Sequence, residues 1–175
     1  KKRKKMKKII INAFGVDRPG IVSEVTKVIT FFNGNIETSK MLQLESEFSL
    51  LMLIKVNKDK IDDLFNKLDQ INDLKITGKI TKEKTENSTF KYYKFSITIA
   101  DNEGIVFIFS ELFKKYNINI LNMETEIKNA PITGSPVFSL ESTLMIPESI
   151  DLEKFKNDIN RAAEVESIDF SLKNS

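Results

Sequence analysis

The 175-residue sequence contains no cysteine, no histidine and no tryptophan. Without cysteine, the chain has no disulfide, no thiolate metal ligand and no cysteine nucleophile. Without histidine, it lacks the commonest general base and the commonest ligand of transition metals. No run of 18 apolar residues or signal-peptide pattern is present, so we expect a cytoplasmic protein. These absences disfavour catalysis, and we expect no catalytic residues, no metal site and no cofactor.

Basic residues are concentrated at the amino end of the sequence. Residues 1–8 carry seven of the 27 basic side chains, which leaves 20 basic against 25 acidic side chains in the remainder. A mildly acidic body offers no clustered basic surface, so we expect no direct binding of nucleic acid. Met6 has the position of a natural start, and we interpret residues 1–6 as a basic tail, derived from a tag or a solvated end.

The chain contains two copies of one pattern. A shift of 84 positions aligns "DRPGIV" at 17–22 with "DNEGIV" at 101–106, and "NGNIE" at 33–37 with "NINIL" at 117–121. Apolar residues with helical spacing follow the first motif in both copies, which places Val25 and Phe109 at equivalent buried positions. After an inserted loop, "NAPITGSP", the shift becomes 90. A tandem repeat of one structural unit is therefore predicted.

Each copy is predicted to have the element order βαββαβ, from its alternating and helical apolar patterns. The first copy is assigned strand 8–15, helix 19–32, strands 36–44 and 47–57, a helix at 61–68 and strand 74–82. The second is assigned strand 91–100, helix 104–116, strands 119–127 and 137–146, helix 150–163 and strand 165–172. This order predicts an α+β fold of two ferredoxin-like units, each an antiparallel sheet with both helices on one face.

The predicted domains are residues 7–82 and 90–173, with a linker at 83–89 that has no large apolar residue. One face of each sheet carries no helix, and its strand residues are interpreted as aliphatic. Such a face needs a cover, which we expect from the other repeat or from another chain.

The turn "VDRPGIV" at 16–22 lies between the first strand and the first helix. Asp17 is predicted to cap the helix, Pro19 to preset its first turn, and Gly20 to let other atoms approach the backbone. Such a turn either joins two elements or presents N–H groups to a carboxylate or phosphate. The residues alone leave both interpretations open.

"DRPGIV" after a strand, with "NGNIE" about 13 residues later in a βαββαβ unit, resembles the ACT domain, a small-molecule-sensing module. Two such units in a chain of this length resemble the glycine cleavage system transcriptional repressor family. The resemblance covers residues 7 to 172, although the second copy has "DNEG" where the first has "DRPG". It implies a regulatory amino-acid ligand, held between the turn of one unit and the second strand of a paired unit.

Carried to this sequence, the resemblance implies two ligand sites. The first comprises Asp17, Arg18, Pro19, Gly20, Ile21, Val22, Asn35 and Ile36. The second, weaker site comprises Asp101, Gly104, Ile105, Val106, Asn119 and Ile120. Because the second turn lacks the Arg-Pro pair and carries Glu103, we expect the ligand to favour the first.

The resulting hypothesis is a non-enzymatic regulator that binds a small amino acid, with glycine expected from the family. It signals to a protein partner or acts as a homo-oligomer, in transcriptional control of glycine cleavage. The alternative is a structural or oligomerisation module with vestigial ligand sites. An RNA-binding ferredoxin-like sheet is disfavoured because the strands lack the required aromatic pattern. An enzyme carrying ACT units is disfavoured because no residues remain for a catalytic domain.

Overall fold

The computed structural model describes residues 5–82, 89–100, 103–130 and 134–175. The chain divides into two compact units, residues 1–84 and 85–175. Most of the predicted linker and of the predicted basic tail lies outside the described residues.

The first unit is a four-stranded antiparallel sheet with strand order β2-β3-β1-β4. Its elements are β1 (Met6–Val16), α1 (Ile21–Phe31), β2 (Asn35–Leu44), β3 (Glu47–Asn57), a 3-10 turn (Lys58–Lys60), α2 (Ile61–Leu68) and β4 (Leu74–Ile80). The second strand is therefore an edge of the sheet, and the first strand lies in its interior.

The second unit repeats this architecture with strand order β6-β7-β5-β8. Its elements are β5 (Phe90–Ile99), α3 (Ile105–Lys115), β6 (Asn119–Asn129), β7 (Pro136–Pro147), α4 (Leu152–Glu166) and β8 (Asp169–Asn174). The predicted α+β fold of two βαββαβ units is confirmed.

Both helices of each unit pack on one face of the sheet. In the first unit, Val25 of α1 and Leu64 of α2 share one buried cluster with the inward residues of β1 and β3. Val25 and Phe109 have no exposed surface, so their predicted equivalence is confirmed. Because β3 alternates buried and more accessible residues along most of its length, the period-2 pattern identified its core face correctly.

The "NGNIE" part of the repeated motif ends a helix. Asn33 and Asn117 take left-handed conformations, with φ of 56° and 53°, directly after α1 and α3. The following residues, Gly34 and Ile118, donate backbone hydrogen bonds to carbonyls of the preceding helix. Asparagine tolerates this conformation better than most residues, so this half of the motif has a structural explanation.

Several predicted boundaries are wrong. Helix α1 begins at Ile21 instead of residue 19, because Pro19 and Gly20 form the preceding turn. Helix α4 continues to Glu166, and β8 begins at Asp169 instead of residue 165. Ser167 stops the helix in a left-handed conformation, and the sequence has no glycine or proline there to signal this end.

The helix-free faces of the two sheets differ. In the first unit this face carries apolar side chains, among them the exposed Phe14, Leu42 and Leu51. In the second unit it carries charged and hydroxyl side chains, including Lys94 and Glu141. The expectation of an aliphatic face holds only in part for the first unit, where Lys40, Lys55 and Lys79 lie among the apolar side chains, and it is wrong for the second. Alternation indicates which residues share a face but not which face the helices cover.

In the described part of the chain, no helix is long and apolar enough to cross a bilayer. Within the same residues, no group of acidic side chains is arranged to hold a metal ion.

Candidate functional site at the strand-helix turns

The turn between β1 and α1 ends at Gly20, whose backbone is left-handed with φ of +93°. No side chain caps α1 at this position. A Cβ built on Gly20 would approach only the carboxylate of Glu24, at 3.9 Å. The glycine is therefore required by its backbone conformation and not by crowding, and the amino end of the helix is accessible.

The backbone amides of this turn are only partly used. The Ile21 N–H donates to the carbonyl of Arg18 at 3.5 Å, which is at the limit of a hydrogen bond. Among the described residues, the N–H groups of Gly20 and Val22 have no acceptor. Since the side chain of Ile21 is buried in the core, this residue can contact a ligand only through its backbone. The turn thus offers N–H donors and a helix dipole to an anion.

The prediction that Asp17 caps α1 is wrong. The helix begins four residues after Asp17, whereas a capping side chain belongs to the residue directly before the helix. The Asp17 N–H instead donates to the carbonyl of Ser46 at 2.8 Å, which ties the turn to the β2–β3 hairpin. The carboxylate of Asp17 is exposed and has no partner among the residues described, so it is available to a cation.

Arg18 is held by the first unit itself. Its guanidinium forms two hydrogen bonds with the carboxylate of Glu24, at 2.6 and 2.9 Å. It also reaches the carbonyl of Asn72 at 3.4 Å and lies 3.9 Å from the carboxylate of Asp73. The hydrogen bond from Arg18 lowers the pKa of Glu24 below its usual 4.5. Arg18 therefore fixes the turn against α1 and the loop before β4, and its charge is already paired.

Asn35 and Ile36 are far from the turn of their own unit. Ile36 pairs with Ile54 of β3, and Ile54 pairs on its other side with Ile9 near the start of β1. The turn with Gly20 follows the opposite end of β1, roughly 23 Å away at about 3.3 Å per residue. Both residues are exposed at the start of an edge strand. They can complete a site at such a turn only when the turn belongs to another unit.

The second turn also ends at a left-handed glycine, and its sequence differs from that of the first. Gly104 is left-handed with φ of +75°, and no described atom lies within 4 Å of a Cβ built on it. Ile105 is buried and Val106 is exposed, as are Ile21 and Val22 in the first unit. Asp101 lies outside the described residues.

Asn119 and Ile120 begin β6, at the end of the sheet away from Gly104. Asn119 is exposed and Ile120 is half-buried. The two ends of the inserted loop, Asn129 and Pro136, lie at the opposite end of the sheet, because Phe138 of β7 pairs with the last residue of β5. These two residues are therefore at the same end of the sheet as Gly104.

Sequence reasoning missed the residues that hold Arg18. Glu24 is six positions from Arg18, which is not one of the helical spacings that signal a pair, and Asn72 and Asp73 are brought to it only by folding. One feature of the sequence could have indicated the pair. The second copy lacks both partners, because Asn102 replaces Arg18 and Ile108 replaces Glu24.

Residues 7–78 match the family model of the ACT domain. The chain is 26% identical over 146 residues to the glycine cleavage system transcriptional repressor of Escherichia coli (strain K12), covering 82% of this chain and 77% of that protein. The repressor of Shigella flexneri matches to the same extent.

Two solved structures share the whole fold. The crystal structure of an unknown protein from Galdieria sulphuraria has a TM-score of 0.86 at 22% identity and covers 98% of this chain and 99% of that one. A candidate glycine cleavage system transcriptional repressor has a TM-score of 0.70 at 22% identity, covering 97% and 98%. Residues 7–78 of this chain are therefore an ACT domain, and the chain as a whole has a tandem fold of two such units and resembles the glycine cleavage system transcriptional repressors.

Proposed function

We propose that this protein is a non-enzymatic regulator that binds a small amino acid at the turn before α1 and transmits the signal to a protein partner. Glycine is the first ligand to test, because the relatives that match most of the chain are named for control of the glycine cleavage system. In this proposal the protein lies in the cytoplasm and acts in transcriptional control. It does so without binding nucleic acid or membrane directly.

The observation that carries this proposal is the uncapped, accessible amino end of α1, in a turn where the Asp17 carboxylate has no partner among the described residues. The ligand carboxylate accepts hydrogen bonds from the N–H groups at Gly20 and Val22, where the helix dipole favours a negative charge. The ligand ammonium pairs with Asp17. Arg18 acts indirectly, by keeping the turn against Glu24.

The site is completed by a second unit in this proposal. Asn35 and Ile36 lie at the wrong end of their own sheet, whereas β2 is an edge strand with every residue exposed. An exposed edge strand can pair with a strand of another copy. Homo-oligomerisation would therefore bring Asn35 and Ile36 of one copy to the turn of another.

The second turn is proposed as the weaker site. Gly104 keeps the left-handed conformation, so its backbone donors are presented as in the first unit. Glu103 precedes it, and a negative charge at this position repels a carboxylate that approaches the same N–H groups.

A structural module with vestigial sites is the second candidate function. It is favoured by the paired charge of Arg18, since this cation of the motif is already neutralised by Glu24. The two functions differ in whether an amino acid stabilises the protein.

The test is a thermal-shift titration with glycine and the other nineteen amino acids, applied to the natural chain and to Gly20→Asn. Asparagine tolerates the left-handed backbone, and its side chain would occupy the approach to the N–H groups. A ligand at a hundred times its dissociation constant stabilises the folded chain by about 2.7 kcal/mol. We expect one amino acid to raise the melting temperature of the natural chain and to have no such effect on Gly20→Asn.

Gly134→Asn is the matched control, because Gly134 is also left-handed, with φ of +69°, and is exposed. It should retain the full ligand response. No response of the natural chain to any amino acid would favour the structural module. A response that persists in Gly20→Asn and disappears in Gly104→Asn would assign the site to the second turn.

A further inference from the structure

The helix-free face of the second sheet contains a shallow cavity of about 410 Å³. Side chains of all four strands point into it, because the residues in question alternate with the buried residues of the core. They are Asn122, Glu124, Glu141, Thr143, Lys94, Ser96, Ser171 and Lys173. This polar surface, which we call the polar face, is separate from the turn at Gly104.

The polar face carries charges of both signs in separate halves. Lys94 of β5 lies directly opposite Lys173 of β8, and Glu124 of β6 lies directly opposite Glu141 of β7. Like charges directly opposite each other on neighbouring strands destabilise a sheet. Among the described residues, none of these four side chains has an ion pair or a hydrogen bond. Lys128 of β6 pairs directly with Glu126 and interacts electrostatically with Glu124 and Glu141, so the acidic pair is partly compensated without a direct ion pair of its own.

Neutral polar groups lie between the two charged halves. The hydroxyls of Ser96 and Ser171 are 3.1 Å apart, so they form a hydrogen-bonded pair. The side-chain oxygen of Asn122 accepts a hydrogen bond from the backbone N–H of Thr143 at 2.8 Å. The β6–β7 register shifts directly before Asn122, and such irregularities redirect side chains in sheets. The floor of the cavity is thus ordered by contacts within the sheet.

The matching face of the first unit shows that the fold itself does not require these charges. Strand registers place Ile10 where the second unit has Lys94, and Leu51 where it has Glu141. Leu53 is in the place of Thr143. Lys40 is in the place of Glu124, whereas Lys79 is in the place of Lys173. Lys94 and the two glutamates are therefore specific to the second unit, and Lys173 is not.

We propose that the polar face binds a small zwitterion, whose carboxylate pairs with Lys94 and Lys173 and whose ammonium pairs with Glu124 and Glu141. Diagonal neighbours on adjacent strands, such as Lys94 and Glu141, are about 7–8 Å apart. That separation accommodates a molecule whose charged ends make hydrogen bonds of about 2.8 Å on both sides. A free amino acid and a short peptide share this chemistry. The proposal does not depend on binding at the turn before α1.

The experiment is a titration of the full ¹⁵N-labelled chain, followed by the backbone amide shifts of Ser96, Thr143 and Ser171. The probes are glycine and diglycine, compared with N-acetylglycine, which lacks the ammonium, and glycinamide, which lacks the carboxylate. We expect saturable shifts with a zwitterion and at least tenfold weaker binding of both blocked analogues. The ratio of the glycine and diglycine affinities shows whether a free amino acid or a peptide end fits better.

Lys94→Met and Glu141→Gln should each weaken zwitterion binding at least tenfold. Lys156→Met, which removes a partly exposed lysine from α4, is the control and should have no effect. Gly20→Asn should also leave these shifts unchanged, which separates this site from the turn site.

Three results would overturn the proposal. One is the absence of shifts with either zwitterion at 50 mM. Another is equal binding of N-acetylglycine, which would indicate an anion held by the lysines alone. The third is salt-sensitive self-association that disappears in Lys94→Met, which would show that two copies of the polar face pair with each other.

Discussion

The two repeats have the same order of helices and strands, but their side chains differ on both faces of the sheet. On the core face, the second unit has a cluster of aromatic rings where the first unit is aliphatic: Phe95 replaces Ile11, Phe109 replaces Val25 and Phe113 replaces Ile29. The centroids of Phe109 and Phe113 lie 5.1 and 5.2 Å from that of Phe95. The same element order therefore accommodates two different packings of the core.

The larger rings are accommodated by a smaller residue on the neighbouring strand. Ile11 lies opposite Met52 in the first unit, whereas Phe95 lies opposite Ser142 in the second. The larger residue on one strand is therefore matched by a smaller residue on its neighbour, which keeps the core filled. The cost is a hydroxyl in the core, because Ser142 is 5% exposed and its Oγ has no partner in the described structure.

The helix-free faces of the two sheets also differ in chemistry. The first unit exposes apolar side chains such as Phe14 and Leu51, and the second exposes the charges of the polar face. A repeated fold thus provides two chemically distinct surfaces: one suited to an apolar partner, the other to a charged or zwitterionic one. Each difference predicts a different response to mutation.

The largest expected effect comes from the aromatic core. Phe109→Ala should cost about 3–5 kcal/mol of unfolding free energy, against about 2 kcal/mol for the equivalent Val25→Ala. The measurement is denaturant unfolding followed by far-ultraviolet circular dichroism. Because all three tyrosines, at 92, 93 and 116, lie in the second unit, tyrosine fluorescence reports that unit separately. Equal costs for the two variants would contradict the difference between the cores.

A smaller and opposite effect is expected at Ser142. Ser142→Ala removes a buried hydroxyl that has no partner, so it should stabilise the chain by about 1 kcal/mol. Ser139→Ala, on the same strand, is the control, because the Ser139 hydroxyl donates to the carbonyl of Glu126 and its removal should bring no gain. A loss of stability in Ser142→Ala would show that the hydroxyl is satisfied in solution.

The smallest expected effect is a pH dependence that differs between the units. In the second unit, Asp158 accepts hydrogen bonds from Lys115 at 2.6 Å and from Tyr116 at 2.8 Å, linking α3 to α4. These bonds, that of Lys115 first, lower the pKa of Asp158 below its usual 3.8. In the first unit the carboxyl group with a lowered pKa is that of Glu24 at the turn, where the hydrogen bond from Arg18 lowers the pKa below 4.5.

A carboxyl whose pKa is lower in the folded chain stabilises that chain above the unfolded pKa, and this contribution is lost as the pH falls through the folded value. We therefore expect acid to weaken the Glu24 contact below pH 4.5 and the Asp158 contact below pH 3.8. Melting of Asp158→Asn, followed by tyrosine fluorescence, should depend less on pH in that acid range. Glu24→Gln should instead reduce the pH dependence of the melting temperature measured by far-ultraviolet circular dichroism. Unchanged profiles in both variants would refute these contacts.

Much of the fold could be predicted from the sequence because its patterns repeat. The period-2 residues of β3 and the helical stripe through Val25 have equivalents 90 and 84 positions later, so each copy supported the interpretation of the other. The end of α4 could not be predicted, because Ser167 adopts a left-handed conformation that serine does not signal. The error over Asp17 has a similar origin, since the sequence does not show that Pro19 and Gly20 lie outside the helix.

The sequence alone determined the tandem repeat, the βαββαβ order and the glycine at each turn, because hydrophobic periodicity and backbone preference are local properties. Only the tertiary structure showed that Arg18 is paired with Glu24, and that Asn35 lies at the opposite end of the sheet from Gly20. Only the strand register brought Lys94, Lys173, Glu124 and Glu141 onto one face. Residues far apart in the chain become neighbours through the pairing of strands, and pairing is decided by the packing of the whole core rather than by any local segment.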